Sequence, residues 1–450
     1  MLVYYGYSGS AAIHLRSRGL EPGDRIVVKL KDGTILRGLL MPRPQLYESS
    51  TTIVVKLENG YNVGLDFSKI EEIILLEKSP KMKSAEKALE KPVSSDLPRI
   101  VLISTGGTIA SKVDYETGAV TPALKPEDIL EWIPEISEIA LFSAREVMSI
   151  FSEDMHPRLW EKIAEEVYKE IESGVAGVVV AHGTDTMAYT ASALAFGIQN
   201  KPVPIVFVGS QRSSDRPSTD AALNLLAATI TAAKAPFAES VIVMHASTSD
   251  ILMAVHRGVK ARKMHTSRRD AFQSINDTPI ALVNPFKREV RIIGRIHEYR
   301  GNKKPILKAR FDERVALIKF YPGLDSELID FLVDKGYHGI VIEGTGLGHV
   351  ANKLVSSIKR AVELGIPVVM TSQCLFGRVN MNVYSTGRRL LEAGVIPGSD
   401  MLPETAYVKL SWILGSITRD LKEVRKHMET NYAGEINPRH TLNLYPRWPY

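Results

Sequence analysis

From residue 99 onward the chain is a succession of short apolar runs, each closed by a polar turn. Ile100-Val-Leu-Ile-Ser-Thr-Gly-Gly-Thr-Ile109 is one such run with its turn, and Val178-Val-Val-Ala-His-Gly-Thr-Asp-Thr186 is another. A continuous apolar run of this length bounded by turn residues reads as a strand buried on both faces. Ile205–Gly209 and Ser240–Met244 repeat the pattern. Between the runs, Trp160–Ser173 and Ala221–Ala233 have helical spacing. Strands alternating with helices predict a mostly parallel sheet. Residues 285–312, with Asn284-Pro285 and Gly301-Asn-Lys-Lys-Pro305, read as a hairpin and a crossover. Val315–Phe320, Gly339–Glu343 and Pro367–Ser372 then open a second α/β set.

Residues 1–78 follow a different rhythm. Arg25–Lys29, Thr34–Gly38, Thr52–Leu57, Tyr61–Leu65 and Glu71–Leu76 are short alternating runs. Asp32-Gly33 and Asn59-Gly60 between them are hairpin signals. A small all-β barrel of SH3 or Sm type is expected here, with a docking role. Residues 79–98 are rich in Lys, Glu, Ser and Pro and read as an exposed linker. The expected division is therefore 1–78 barrel, 79–98 linker, 99–300 first α/β domain, 301–425 second α/β domain and 426–450 tail.

Composition narrows the class. At 450 residues, two or three domains are expected. A single cysteine, Cys374, excludes a disulfide framework and reads as a buried core residue after its strand. No apolar run approaches the roughly 20 residues that span a bilayer. Met1-Leu-Val-Tyr-Tyr lacks the basic start of a secretory signal, so a cytoplasmic protein is expected. The net charge of +5 permits contact with nucleic acid without requiring it.

Two turns carry candidate chemistry. The carboxyl ends of parallel strands are where open α/β sheets bind ligands. Thr105-Gly-Gly-Thr108 brings hydroxyls and two glycines to one such end. His182-Gly-Thr-Asp-Thr186 brings Thr184 and Asp185 to another. The plain alternative is that Asp185 and Thr186 only cap the next helix. A threonine hydroxyl needs a base, and a lysine made neutral by cationic neighbours and burial can serve. The run Arg257–Arg269 holds Arg257, Lys260, Arg262, Lys263, Arg268 and Arg269. Its alternative reading is a solvated or RNA-facing basic surface. His182 closes its strand and reads as structural. No metal-ligand spacing is present.

Thr105-Gly-Gly-Thr-Ile-Ala110 together with His182-Gly-Thr-Asp-Thr186 resembles the two signature turns of the bacterial-type L-asparaginase/glutaminase family. The likeness runs from about Arg99 to about Lys426. It implies a two-domain α/β amidohydrolase, at least dimeric, with threonine nucleophiles. By motif position it assigns catalytic roles to Thr108, Thr184 and Asp185. Lys263 follows from Arg262-Lys263-Met-His-Thr-Ser-Arg-Arg-Asp-Ala-Phe272. Ser152 and Glu153 follow as substrate contacts from Phe151-Ser-Glu-Asp-Met155. The family also has a tyrosine in the loop after the first turn. Tyr115 is the candidate, with Val120-Thr121 as another placement of that motif.

The N-terminal barrel, the linker, Gln373–Tyr384 and Asn437–Pro446 are similar to the D-subunit family of archaeal glutamyl-tRNA(Gln) amidotransferases. That resemblance implies hydrolysis of glutamine and delivery of ammonia to an E subunit. The E subunit amidates Glu on tRNA(Gln) with ATP and Mg, so no cofactor is expected in this chain. A homodimer within a heterotetramer is implied. Two other readings remain: a free-standing cytosolic L-asparaginase, and a non-catalytic scaffold that binds tRNA or a partner.

Overall fold

The computed structural model describes residues 3–4, 7–41, 52–57, 62–78, 97–106, 111–113, 120–122, 133–212 and 219–445. Among them no helix is long and apolar enough to cross a membrane. The chain divides into two units. One comprises residues 1–94, 110–124 and 212–219, and the other residues 95–109, 125–211 and 220–450.

The smaller unit is built on five antiparallel strands: β1 (Arg25–Leu30), β2 (Ile35–Leu40), β3 (Thr52–Leu57), β4 (Asn62–Asp66) and β5 (Ile70–Glu77). Their order is β4-β3-β2-β1-β5. Asp32-Gly33 makes the first hairpin: Gly33 has φ +88 and the Asp32 carboxylate accepts from Thr34 N at 2.9 Å. Asn59-Gly60 lies outside the described residues. The unit is not all-β. Helix α1 (Gly9–Ser17) buries Ala11, Ala12 and Leu15 against Ile26, Val28, Ile53 and Val55. Its nine residues hold only three apolar core positions among small and polar ones, so its sequence period is faint.

In the larger unit an eight-stranded sheet comes first. Its strands are β6 (Arg99–Gly106), β7 (Leu141–Ile150), β8 (Gly177–Ala181), β9 (Ile205–Val208), β10 (Ser240–His245), β11 (Met253–Arg257), β14 (Ala281–Asn284) and β15 (Glu289–Ile292). A separate antiparallel ribbon, β12 (Ala261–Lys263) with β13 (Phe272–Ser274), leaves it after β11. The sheet order is β7-β6-β8-β9-β10-β11-β14-β15. The first five strands are parallel and the last three antiparallel. The sheet is thus mixed, because after β10 the chain returns through short turns rather than helical crossovers. Helices α2 (Pro157–Glu172), α3 (Met187–Gly197) and α4 (Ala221–Lys234) connect its parallel strands.

A second, wholly parallel sheet holds β16 (Val315–Lys319), β17 (Gly339–Gly344), β18 (Val368–Ser372) and the short β19 (Ile396–Pro397). Its helices are α5 (Glu327–Asp334), α6 (Val355–Glu363), α7 (Ser385–Glu392), α8 (Pro403–Ser416) and α9 (Leu421–Glu429). Strand alternation sorts its core. Ile340, Ile342, Val368 and Met370 pack with Ile329 and Ile358. Val341 and Val369 face the other way and join one core with Trp412, Phe196, Val178 and Phe207. That shared core, with α3 and α8 buried almost all round, joins the two sheets.

Candidate active site

The site forms where β7, β6, β8 and β9 end. Ser104 on β6 pairs with Ala181 on β8, so both signature turns leave the sheet at the same level. The buried Thr105 hydroxyl donates to Ala181 O at 3.0 Å and ties the two turns together. Gly106 takes φ +97, and a Cβ there would lie 2.5 Å from Ile150 O of β7. Only glycine allows this approach at that backbone angle. Thr108 and Tyr115 lie outside the described residues.

The second turn is fully visible. Thr184 is buried, and a Cβ on Gly209, at the end of β9, would lie 2.8 Å from its methyl group. Neither Asp185 nor Thr186 caps α3. Thr186 stands at the N-cap with no side-chain cap bond, and its hydroxyl donates to Ser152 O at 2.6 Å. The Asp185 carboxylate turns instead to Lys263.

Lys263 closes the group. Its Nζ lies 2.8 Å from Thr184 Oγ1 and 2.9 Å from Asp185 Oδ1. The ribbon β12-β13 carries it there, with Lys263 paired to Phe272. An amine this close to a hydroxyl can take its proton when neutral, while the carboxylate holds the amine in place. Ser152 is buried beside the same turn, and a Cβ on Gly183 would lie 2.7 Å from Ser152 Cβ. Glu153 follows it, exposed, on a short 3-10 helix. The structure therefore brings Thr184, Asp185, Lys263 and Ser152 together.

His182 is occupied on both nitrogens. Its Nδ1 donates to Gly183 O at 2.7 Å, so Nε2 accepts from Thr190 Oγ1 at 2.9 Å. Burial pushes its pKa down to about 4. This neutral, doubly bonded imidazole is part of the frame.

One alternative reading and one expectation change. The run 257–269 is not an unpaired basic surface: each of its six cations meets a carboxylate. Arg257 and Lys260 are buried, pairing with Glu239 and Asp277 and with Asp400. Cys374 is exposed on the loop after β18 rather than buried.

The sequence also hid a polar network beneath the strand ends. The Asp220 carboxylate accepts from Gln211 N at 3.0 Å and from Asn224 Nδ2 at 3.0 Å. Asn224 also donates to Gly209 O, and its side-chain oxygen meets His245 Nδ1 at 2.7 Å. Single polar residues inside α4 and β10 form no motif. Their place in an otherwise apolar helix and strand was the available signal.

Three family profiles match: GatD N-terminal domain over residues 20–76, Asparaginase, N-terminal over 99–296, and Glutaminase/Asparaginase C-terminal domain over 314–428. The fold resembles the thermostable L-asparaginase from Thermococcus kodakarensis, 36% identical over 76% of this chain and 100% of that one, with a TM-score of 0.67. L-asparaginase I from Vibrio cholerae is 30% identical over 76% of this chain and 99% of its own, with a TM-score of 0.66. Fold and turns thus place the chain in the asparaginase class. The glutamyl-tRNA(Gln) amidotransferase D subunit of Thermofilum pendens is 51% identical over 98% of this chain and 99% of its own. Its counterpart in Pyrococcus furiosus is 53% identical over 94% and 97%. The chain belongs to the family of glutamyl-tRNA(Gln) amidotransferase D subunits.

Proposed function

We propose that this chain hydrolyses the side-chain amide of glutamine and passes the ammonia to a partner subunit that converts Glu-tRNA(Gln) to Gln-tRNA(Gln). The observation that carries the reading is Lys263 Nζ within hydrogen-bond reach of both Thr184 and Asp185. The likeness to D subunits along almost the whole chain supports the role within a complex.

The chemistry is a two-step acyl transfer. A threonine hydroxyl attacks the amide carbon, an ester C–O bond forms, the C–N bond breaks, and the hydroxyl proton leaves with ammonia. Water then cleaves the ester, giving glutamate and the free hydroxyl. Thr108 is assigned to acylation. Thr184, Asp185 and Lys263 form a relay that activates Thr184 or the deacylating water. Ser152 donates to the substrate α-carboxylate, while Glu153 and Asp185 hold the α-ammonium. Tyr115 is the candidate loop tyrosine.

The partner is an E subunit that binds tRNA(Gln), ATP and Mg. The D chain pairs with itself inside a cytoplasmic heterotetramer and needs no cofactor of its own. Residues 1–78 dock the partner or its tRNA. Ammonia release from glutamine and from asparagine, with and without the E subunit and Glu-tRNA(Gln), tests the assignment. Asparagine hydrolysis indifferent to the partner would make the chain a free asparaginase, and no release at all would make it a scaffold. Deleting residues 1–90 should leave basal hydrolysis and weaken partner-dependent stimulation. Unchanged stimulation would remove the docking role.

A further inference from the structure

The ribbon that presents Lys263 is tied at its base by the C-terminal tail. Lys260 immediately precedes β12, and Asn276 lies two residues beyond the end of β13. Ile275 N donates to Lys260 O at 2.8 Å and closes the ribbon between them. Lys260 Nζ meets the Asp400 carboxylate at 2.7 Å and Asp400 O at 3.2 Å, with neither side chain exposed. Asn276 Nδ2 donates to Gly377 O at 3.0 Å and to Asp400 O at 3.3 Å, and Gly377 N returns a bond to Asn276 Oδ1 at 2.8 Å.

Asn437 joins these groups. Its backbone N donates to Asp400 Oδ1 at 3.0 Å, and its side-chain amide donates to Asp400 Oδ2 at 2.9 Å and to Asn276 O. One residue of the tail thus bridges the partner of Lys260 and the backbone of Asn276. Arg378 holds Asn437 from outside, donating to its carbonyl at 2.6 Å. A buried ammonium and carboxylate keep a fixed geometry only while their remaining hydrogen-bond capacity is met. Asn437 supplies two of the donors that Asp400 uses.

We propose that Asn437 is a positioning residue: through Asp400–Lys260 and through Asn276 it fixes both ends of the β12-β13 ribbon and so sets the placement of Lys263 against Thr184. The proposal rests on the glutaminase reading for its kinetic consequence and on the hydrogen bonds alone for its structural one. Lys263 lies three residues beyond Lys260, so a loosened base shifts Nζ relative to Oγ1. A misplacement near 1 Å costs about a hundredfold in rate where proton transfer depends on contact.

The test uses the full-length chain with Asn437→Ala, and Ile358→Ala as a stability control. Ile358 is buried in the second sheet's core, in a cluster that includes neither tail nor ribbon residues. Asn437→Ala is expected to lower kcat for glutamine about tenfold to a hundredfold with KM changed less than about twofold, assayed well below its melting temperature. Ile358→Ala is expected to lose melting temperature and keep kcat. Hydrogen exchange of amides 261–275 is expected to quicken in Asn437→Ala and not in Ile358→Ala. Wild-type kcat or unchanged exchange in Asn437→Ala overturns the proposal. If that variant does not fold, Arg378→Ala, which frees only the outer grip, carries the same expectation and the same refutation. A wild-type chain that releases no ammonia from either amide defeats the glutaminase reading, and the exchange experiment then decides the positioning role alone.

Discussion

Lys263 Nζ lies 2.8 Å from the hydroxyl of Thr184, a residue 79 positions earlier in the chain. Thr184 follows a central parallel strand, and Lys263 lies on the ribbon that leaves the sheet after β11. The turn after β8 spends neither Asp185 nor Thr186 on capping its helix: Asp185 faces Lys263, and Thr186 donates to Ser152 O.

Lys263→Arg keeps the charge and can keep the link to Asp185. An arginine stays protonated and takes no proton from a hydroxyl. The variant is expected to fold and to lose glutaminase turnover by at least about a hundredfold. Ammonia release measured beside a melting curve checks both halves. An active Lys263→Arg enzyme would reduce the lysine to an electrostatic partner of Asp185.

Thr108→Val and Thr184→Val should each lower turnover by about a hundredfold or more, since each removes a hydroxyl assigned to the reaction. Asp185→Asn should raise KM for glutamine and lower kcat together. A change confined to kcat would cancel its substrate contact and leave its hold on Lys263.

Gly106→Ala places a methyl group 2.5 Å from Ile150 O on a backbone with φ +97. The cost is expected on the order of 2–4 kcal/mol, from strain and overpacking together. Denaturant unfolding gives the number. An unchanged midpoint would mean that β7 yields freely at this point.

Burial pushes His182 and His256 down to about 4 from the ordinary 6.5. The unfolded chain therefore takes up two protons near pH 6.5 that the folded chain refuses until about pH 4. Between those values the unfolded state binds more protons, so stability rises with pH. The contribution is whole above about pH 6.5 and is lost as pH falls toward 4, on the order of 3 kcal/mol for each histidine. Melting temperatures across this range should fall steeply with acid, and His182→Gln should flatten the slope. Equal slopes in both proteins would show that His182 is protonated in the fold.

Much of this was legible in the chain. Runs such as Val178–Ala181 and Ile340–Ile342 are apolar on consecutive positions, are short and β-branched and end in turn residues, as a strand covered on both faces requires. The two turns were legible because a Gly/Thr pattern after such a run is local. Other features were not local. The runs that read as strands leave out β11 and β14, and the direction of those two depends on their connections and not on composition. The cations at 257–269 look like a surface in the sequence because their partners Glu239, Asp277, Asp400 and Glu404 lie elsewhere in the chain. Helix α1 escapes a reading of pattern because Gly9-Ser10-Ala11-Ala12 has little apolar period. The strand before Cys374 suggests a core position, whereas the loop carries it outward.

The tail contact at Asn437 has a consequence for synthesis. Domains fold as the ribosome extends them, N-terminal first. The sheets, the Thr184 turn and the ribbon itself all precede Asn437 in the chain, so the bonds that Asn437 makes to Asp400 and Asn276 at the ribbon's base come after them in synthesis. A chain ending before Asn437 would carry every side chain assigned to the site and lack these hydrogen bonds to Asp400 and Asn276.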